Sequence, residues 1–184
     1  MINILYIHGY GSDANSTTGK ETRKNLSKDF KVFTHSFSND YEQFEAMSDN
    51  IREARKLIKI NNIDLIVASS MGAFIAMGCV NIPKILINPC MLPSEQLKLR
   101  IAPSIIETEL EKYREYESSL LASDEECKNT YGLFSTNDEL FSYKSLFESR
   151  YSADNIYIMN DQHRISSKSI KNELIPLIKK VVCD

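Results

Sequence analysis

Short apolar runs alternate with longer amphipathic stretches along this chain. Ile2–His8 is apolar, rich in Ile and Tyr, and stops at the turn-former Gly9. Lys31–Phe37 alternates and carries β-branched residues, while Asp64–Ser69 and Lys84–Asn88 are compact runs of the kind that form buried strands, the second closed by Pro89. Thr130–Ser135 and Asn155–Met159 complete a predicted set of six strands. Between them, Thr18–Asp29 is polar and moderately amphipathic, and Tyr41–Ile60 places Phe44, Met47, Ile51, Ala54, Leu57 and Ile58 at helical spacing. Met71–Val80 is small and apolar, the composition of a helix buried against a sheet; Glu139–Arg150 and Ser166–Val182 predict later helices. Strands that alternate with helices imply right-handed βαβ units, hence an α/β fold with a mostly parallel sheet. The strand order expected is 2-1-3-4-5-6 with flanking helices. In such a sheet, functional groups gather at the carboxyl ends of the strands.

One stretch departs from this rhythm. Residues 93–129 carry no strand pattern, but Ile106, Leu110, Tyr113, Leu120 and Leu121 form a helical stripe among many charges. Either an enlarged helical crossover or a small lid over the strand ends fits that pattern. The 184 residues are otherwise expected to form a single domain over 1–184, long enough to bury about two-thirds of the surface of the unfolded chain.

Composition narrows the function classes. A formal net charge of -3 with 26% charged residues gives no electrostatic footprint for nucleic acid. No apolar stretch approaches the roughly 20 residues needed to span a bilayer. Cys79, Cys90, Cys127 and Cys183 show no metal-type spacing. With no signal-peptide pattern at the N-terminus, four free thiols and a cytoplasmic setting are expected.

The chemistry centres on Ala68-Ser69-Ser70-Met71-Gly72, where a buried strand runs into a small-residue helix. A nucleophile elbow places a serine on such a strained turn, in the pattern G-x-S-x-G. Ala68 replaces the first glycine and Gly72 is retained, which selects Ser70 over Ser69. His8-Gly9-Tyr10-Gly11-Ser12 follows the first strand. Such a loop brings a backbone amide to a developing oxyanion, and the amides of Tyr10 and Met71 are the candidates. A phosphate loop fits less well, because there is no G-x-G-x-x-G and Gly19-Lys20 lacks the Walker spacing. Three histidines compete for the role of base. His163 sits just past the sixth strand, where it can reach Ser70; His8 is placed to shape the glycine loop, and His35 lies inside a strand pattern. Asp138, just past the fifth strand, is the expected acid, with Glu139 and Asp161 as rivals and a helix N-cap as its alternative role. The chain order Ser70, Asp138, His163 is that of the α/β-hydrolases.

The segments YIHGYGS, ASSMGA, INPCMLPSEQL, STNDELFSY and NDQHRI resemble the YqiA-like esterases, small α/β-hydrolases of the UPF0227 group. The pair Asn88-Pro89 is the more distinctive part of this likeness. The resemblance implies an α/β-hydrolase fold and esterase activity on short acyl esters through Ser70, Asp138 and His163. No cofactor or metal is implied, and the partner is a small-molecule ester or thioester. The same residues would serve an acyltransferase or acyl-CoA thioesterase, and a non-catalytic binding module would keep the fold without the geometry.

Overall fold

The computed structural model describes residues 1–120 and 122–183, the last without its side chain. Strands β1 (Ile2–Ile7), β2 (Phe30–Thr34), β3 (Leu65–Ser69), β4 (Lys84–Ile87), β5 (Thr130–Ser135) and β6 (Ile156–Met159) form one sheet. Their order is β2-β1-β3-β4-β5-β6, as the sequence predicts, and each neighbouring pair is parallel. Period-two alternation sends successive side chains to opposite faces. Leu5, Ile7, Ile66, Ala68, Leu86 and Phe134 join one apolar core, while Ile4, Tyr6, Leu65, Val67, Ile85 and Leu133 join the other.

Helices cover both faces. The first core is closed by α2 (Phe44–Ile60), α3 (Met71–Met77), α5 (Glu107–Ser119) and α7 (Lys144–Arg150). The second is closed by α1 (Thr17–Asn25) and by the C-terminal helical segment, α8 (Ser167–Ser169), a π-helical turn Ile170–Leu174 and α9 (Ile175–Cys183). All seven residues of α3 are buried, which explains its small, apolar composition. The π turn just precedes Pro176, which lacks an N–H and whose ring crowds the carbonyl four residues back; the wider turn accommodates both. Sequence periodicity treats this segment as one uninterrupted helix and misses the turn.

Residues 93–129 hold α4 (Pro93–Gln96), a π-helical turn Leu97–Ile101, α5 and α6 (Asp124–Asn129). Leu110 and Tyr113 are buried as the stripe predicts, but Ile106 is exposed because it precedes α5 as its N-cap. Leu121 lies outside the described residues. Glu109 ties the segment to α2 by accepting the Phe44 N–H (2.8 Å), and Glu117 holds α4 to α5 within the segment by accepting both the N–H and hydroxyl of Ser94.

Two further boundaries shift. The helix expected from Glu139 begins only at Lys144, because Asp138 Oδ1 accepts the amides of Leu140 and Phe141 and folds those residues into a turn. Asp138 is therefore not the N-cap of α7; Tyr143 is. His35 lies just beyond β2 rather than within it, with its ring edge-on to Phe37. No helix among the described residues is long and apolar enough to cross a membrane.

Candidate active site

Ser70 occupies the turn between β3 and α3 with φ 51° and ψ −122°, a conformation that L-residues rarely adopt. The turn is held from both sides: the Ser70 N–H donates to Ile87 O (3.0 Å), and Ser70 O accepts from the amides of Ala73 and Cys90 (3.0 and 3.1 Å). Tight packing explains which glycine of the elbow is retained. A Cβ at Gly72 would collide with the His8 carbonyl oxygen and lie 2.7 Å from Ile7 O. Ala68 points into the first core, where its methyl group is fully buried.

The predicted partners converge on Ser70. His163 Nε2 lies 2.9 Å from Ser70 Oγ, and His163 Nδ1 lies 2.7 Å from Asp138 Oδ2. A carboxylate accepts only, so the Nδ1 proton points to Asp138 and Nε2 is left as the acceptor for the serine hydroxyl. Both side chains are shielded, at 11% and 4% exposure. Burial alone pushes the Asp138 carboxyl up, but donors from His163, Leu140 and Phe141 outweigh it and hold the group below the ordinary aspartate value. The Phe141 ring stands edge-on to the imidazole at 4.8 Å and walls one side of it.

The rival acids brace the histidine loop instead of the ring. Glu139 Oε2 accepts the His163 backbone N–H (2.9 Å). Asp161 Oδ2 accepts the N–H and hydroxyl of Ser166, both at 2.7 Å, and so anchors the residue whose own side chain caps the helix that follows. Burial opposes ionisation of Asp161, but bonds from Ser169, Ser166 and Gln162 prevail and hold its carboxyl at about 2.

The glycine loop after β1 lies against the elbow. A Cβ at Gly9 would come within 3.0 Å of Ser70 Cβ. His8, 1% exposed, braces this loop: Phe37 N–H donates to its Nε2 (3.0 Å), so Nδ1 carries the proton and donates to Gly9 O (2.9 Å). Burial lowers the His8 pKa and favours this neutral form. Asn39 clamps the far end, accepting from Gly11 N–H and donating to Ser12 O, each at 2.9 Å. Gly11 needs its φ of 69° to make that turn. Neither the Tyr10 nor the Met71 amide has a protein acceptor among the described residues. Met71 opens α3, so no helical carbonyl lies behind its N–H.

Sequence reasoning misses Asn39, in a loop without a motif, and Phe141, which lies within STNDELFSY but gives no sign there that its ring meets His163. Two side chains apart in sequence but joined in space leave no local signal. The cysteine thiols take no part in the line of hydrogen bonds from Ser70 through His163 to Asp138. Cys79 and Cys90 are buried thiols with raised pKa, Cys79 at about 11; Cys127 is also unbridged, and the Cys183 side chain is outside the described residues. Among the described residues, no group of three or more His, Cys, Asp or Glu side chains could hold a metal ion. A surface cavity of about 220 Å³ is lined in part by Arg55, Gly78 and Tyr116, and includes none of Ser70, Asp138 and His163.

The fold matches known structures over nearly its whole length. Est1E from Butyrivibrio proteoclasticus aligns with a TM-score of 0.69 at 10% identity, covering 100% of this chain and 89% of that one. The mouse alpha/beta hydrolase domain-containing protein 10 aligns with a TM-score of 0.68 at 15% identity, covering 98% and 89%. A thermophilic esterase from Thermogutta terrifontis gives 0.61 at 15%, covering 98% and 90%. At these identities the likeness is one of fold, and the fold is that of the α/β-hydrolases. No curated protein matches the sequence. The model of the uncharacterised protein family UPF0227 matches residues 3–180, and the chain belongs to that family.

Proposed function

We propose that this protein is a serine hydrolase that cleaves small carboxylic esters through an acyl-enzyme on Ser70. The observation that carries this reading is the unbroken hydrogen-bonded line from Ser70 Oγ through His163 to Asp138. That line also favours a catalyst over a binding module, which has no need of it.

In the proposed reaction, Ser70 Oγ attacks the ester carbonyl carbon while its proton passes to His163 Nε2. Asp138 keeps the ring oriented and stabilises the imidazolium. The carbonyl oxygen takes up negative charge and is held by the amides of Tyr10 and Met71. When the tetrahedral species collapses, the C–O bond to the alcohol breaks and His163 returns its proton to the leaving oxygen. Water then repeats the sequence on the acyl-Ser70 ester: His163 takes a proton from water, the hydroxide adds to the carbonyl, and the acid leaves as Ser70 regains its proton. Short acyl esters are the substrates that the family resemblance implies.

A fluorophosphonate probe tests the nucleophile. The expected result is stoichiometric labelling of the wild-type chain and none of Ser70→Ala. Labelling that persists in Ser70→Ala removes Ser70 from the role. A panel of p-nitrophenyl esters beside acyl-CoA thioesters and alcohol acceptors then separates hydrolysis from acyl transfer.

A further inference from the structure

Asn88 has no part in the chemistry just described, yet it bonds the histidine loop and sits in the stretch of chain that holds the elbow. It follows β4 directly, is 3% exposed, and has φ 41° in the left-handed region. Asparagine tolerates that region better than most L-residues, and Pro89 then fixes the outgoing chain. Its amide is fully employed. Oδ1 accepts the Ser135 N–H (2.7 Å), while Nδ2 donates to Ser135 Oγ and to the backbone carbonyl of His163, both at 2.9 Å, with Gln162 O at 3.3 Å. Ser135 Oγ donates onward to Gln162 O (2.7 Å).

The same stretch of chain holds the nucleophile. Ile87 O accepts the Ser70 N–H, and the Cys90 N–H donates to Ser70 O. The four residues 87–90 therefore grip the elbow through the backbone of Ile87 and Cys90 and the histidine loop through the Asn88 side chain. Ser70 and His163 are 93 positions apart and arrive on different strands. Asn88, directly after β4, lies between the two.

We infer that Asn88 is a positioning residue that sets the distance between His163 and Ser70. The inference deepens the proposed hydrolase reading and rests on it. A buried amide that donates to the histidine's own carbonyl restrains the loop at the residue whose ring must stay within hydrogen-bond reach of Ser70. Displacements of about 1 Å in such a constellation can cost about 10²-fold in rate.

Asn88→Asp is the sharper test. It preserves shape and the acceptor for Ser135 N–H, but removes both donors and turns an oxygen toward the carbonyls of Gln162 and His163. Asn88→Gly is the companion variant: it relaxes the left-handed backbone and removes only the side chain. With p-nitrophenyl acetate, each is expected to lower kcat by about 10²-fold while KM stays within about twofold, the signature of an interaction used in the transition state. Fluorophosphonate labelling should reach the wild-type endpoint, more slowly. The downfield proton NMR signal of His163 Nδ1–H should shift or broaden in both variants.

Wild-type kcat in both variants would overturn the inference. So would a lower labelling endpoint and melting temperature with unchanged rate per labelled chain, which marks a purely structural residue. The hydrolase reading fails separately, through absent labelling of the wild-type protein. The NMR signal still decides then: an unchanged His163 Nδ1–H signal in Asn88→Asp rejects the positioning role whatever the reaction.

Discussion

Gly72 and His8 are packed backbone to backbone, with no space between the Gly72 Cα and the carbonyl groups of Ile7 and His8. The helix that begins after Ser70 is thereby pressed onto the end of β1. The elbow and the glycine loop keep their spacing because one residue has no side chain.

Gly72→Ala therefore tests the elbow directly. The added methyl meets main-chain atoms that cannot swing aside, so α3 and the end of β1 must part. The expected cost is about 1–3 kcal/mol in denaturant unfolding, with a loss of fluorophosphonate reactivity larger than the loss of folded protein. Ala68→Gly, the change toward the common elbow pattern, should leave reactivity intact.

Asp138→Asn separates orientation from charge. An amide in place of the carboxylate presents a donor to Nδ1, which favours the tautomer with its proton on Nε2, where Ser70 needs an acceptor. A fall in kcat of about 10³–10⁴-fold with little change in melting temperature is expected. Glu139→Gln, which can still accept from the His163 N–H, should lower activity far less.

His8 predicts a pH effect with a defined sign. Its folded pKa is lowered, so the unfolded chain binds the proton more tightly. The neutral imidazole's contribution is complete above the unfolded value of about 6.5 and fades as pH falls toward the folded value. Melting temperatures taken from about pH 7.5 to about pH 5 should decline in the wild type, and that part of the slope should vanish in His8→Gln. A slope unchanged by the substitution would assign the effect elsewhere.

Lys84 and Glu126 offer a control at the opposite end of the sheet. Lys84 Nζ is fully buried and lies 2.5 Å from Glu126 Oε2, while Glu126 Oε1 accepts the Asn81 N–H. Lys84→Met leaves a buried carboxylate without its cation, with an expected loss of about 3–5 kcal/mol in stability. The double variant Lys84→Met, Glu126→Gln should recover much of that loss. Neither should alter kcat per folded molecule, since Lys84 opens β4 and Glu126 lies on α6 just ahead of β5, at the end of the sheet opposite Ser70.

Strands were readable in this sequence wherever both faces are buried. LIVAS and KILI carry no alternation and are covered on both sides, whereas the rim strands β2 and β6 show exposed positions and less certain limits. The order of Ser70, Asp138 and His163 was readable because each follows a strand. What escaped was decided by contacts between distant residues. The late start of α7 comes from the Asp138 carboxylate folding back on Leu140 and Phe141. The roles of Glu139 and Asp161 depended on whether they faced the ring or the backbone of one loop, which spacing does not encode. Asn88 stood out only as half of an Asn-Pro pair; its partners at positions 135 and 163 emerge once β4 lies beside β5.

The two sides of the candidate site are moored at the sheet's outermost strands. Phe37 and Asn39 follow β2, at one rim, and hold His8 and the glycine loop; His163 follows β6, at the other. Rim strands pair on one side only, and such elements open at lower free energy than a central core. Partial fraying would thus disarm the molecule while β1, β3, β4 and α3 stay folded. In rising urea, hydrolysis should fade before the global transition, making inactivation an early report on the borders of the fold.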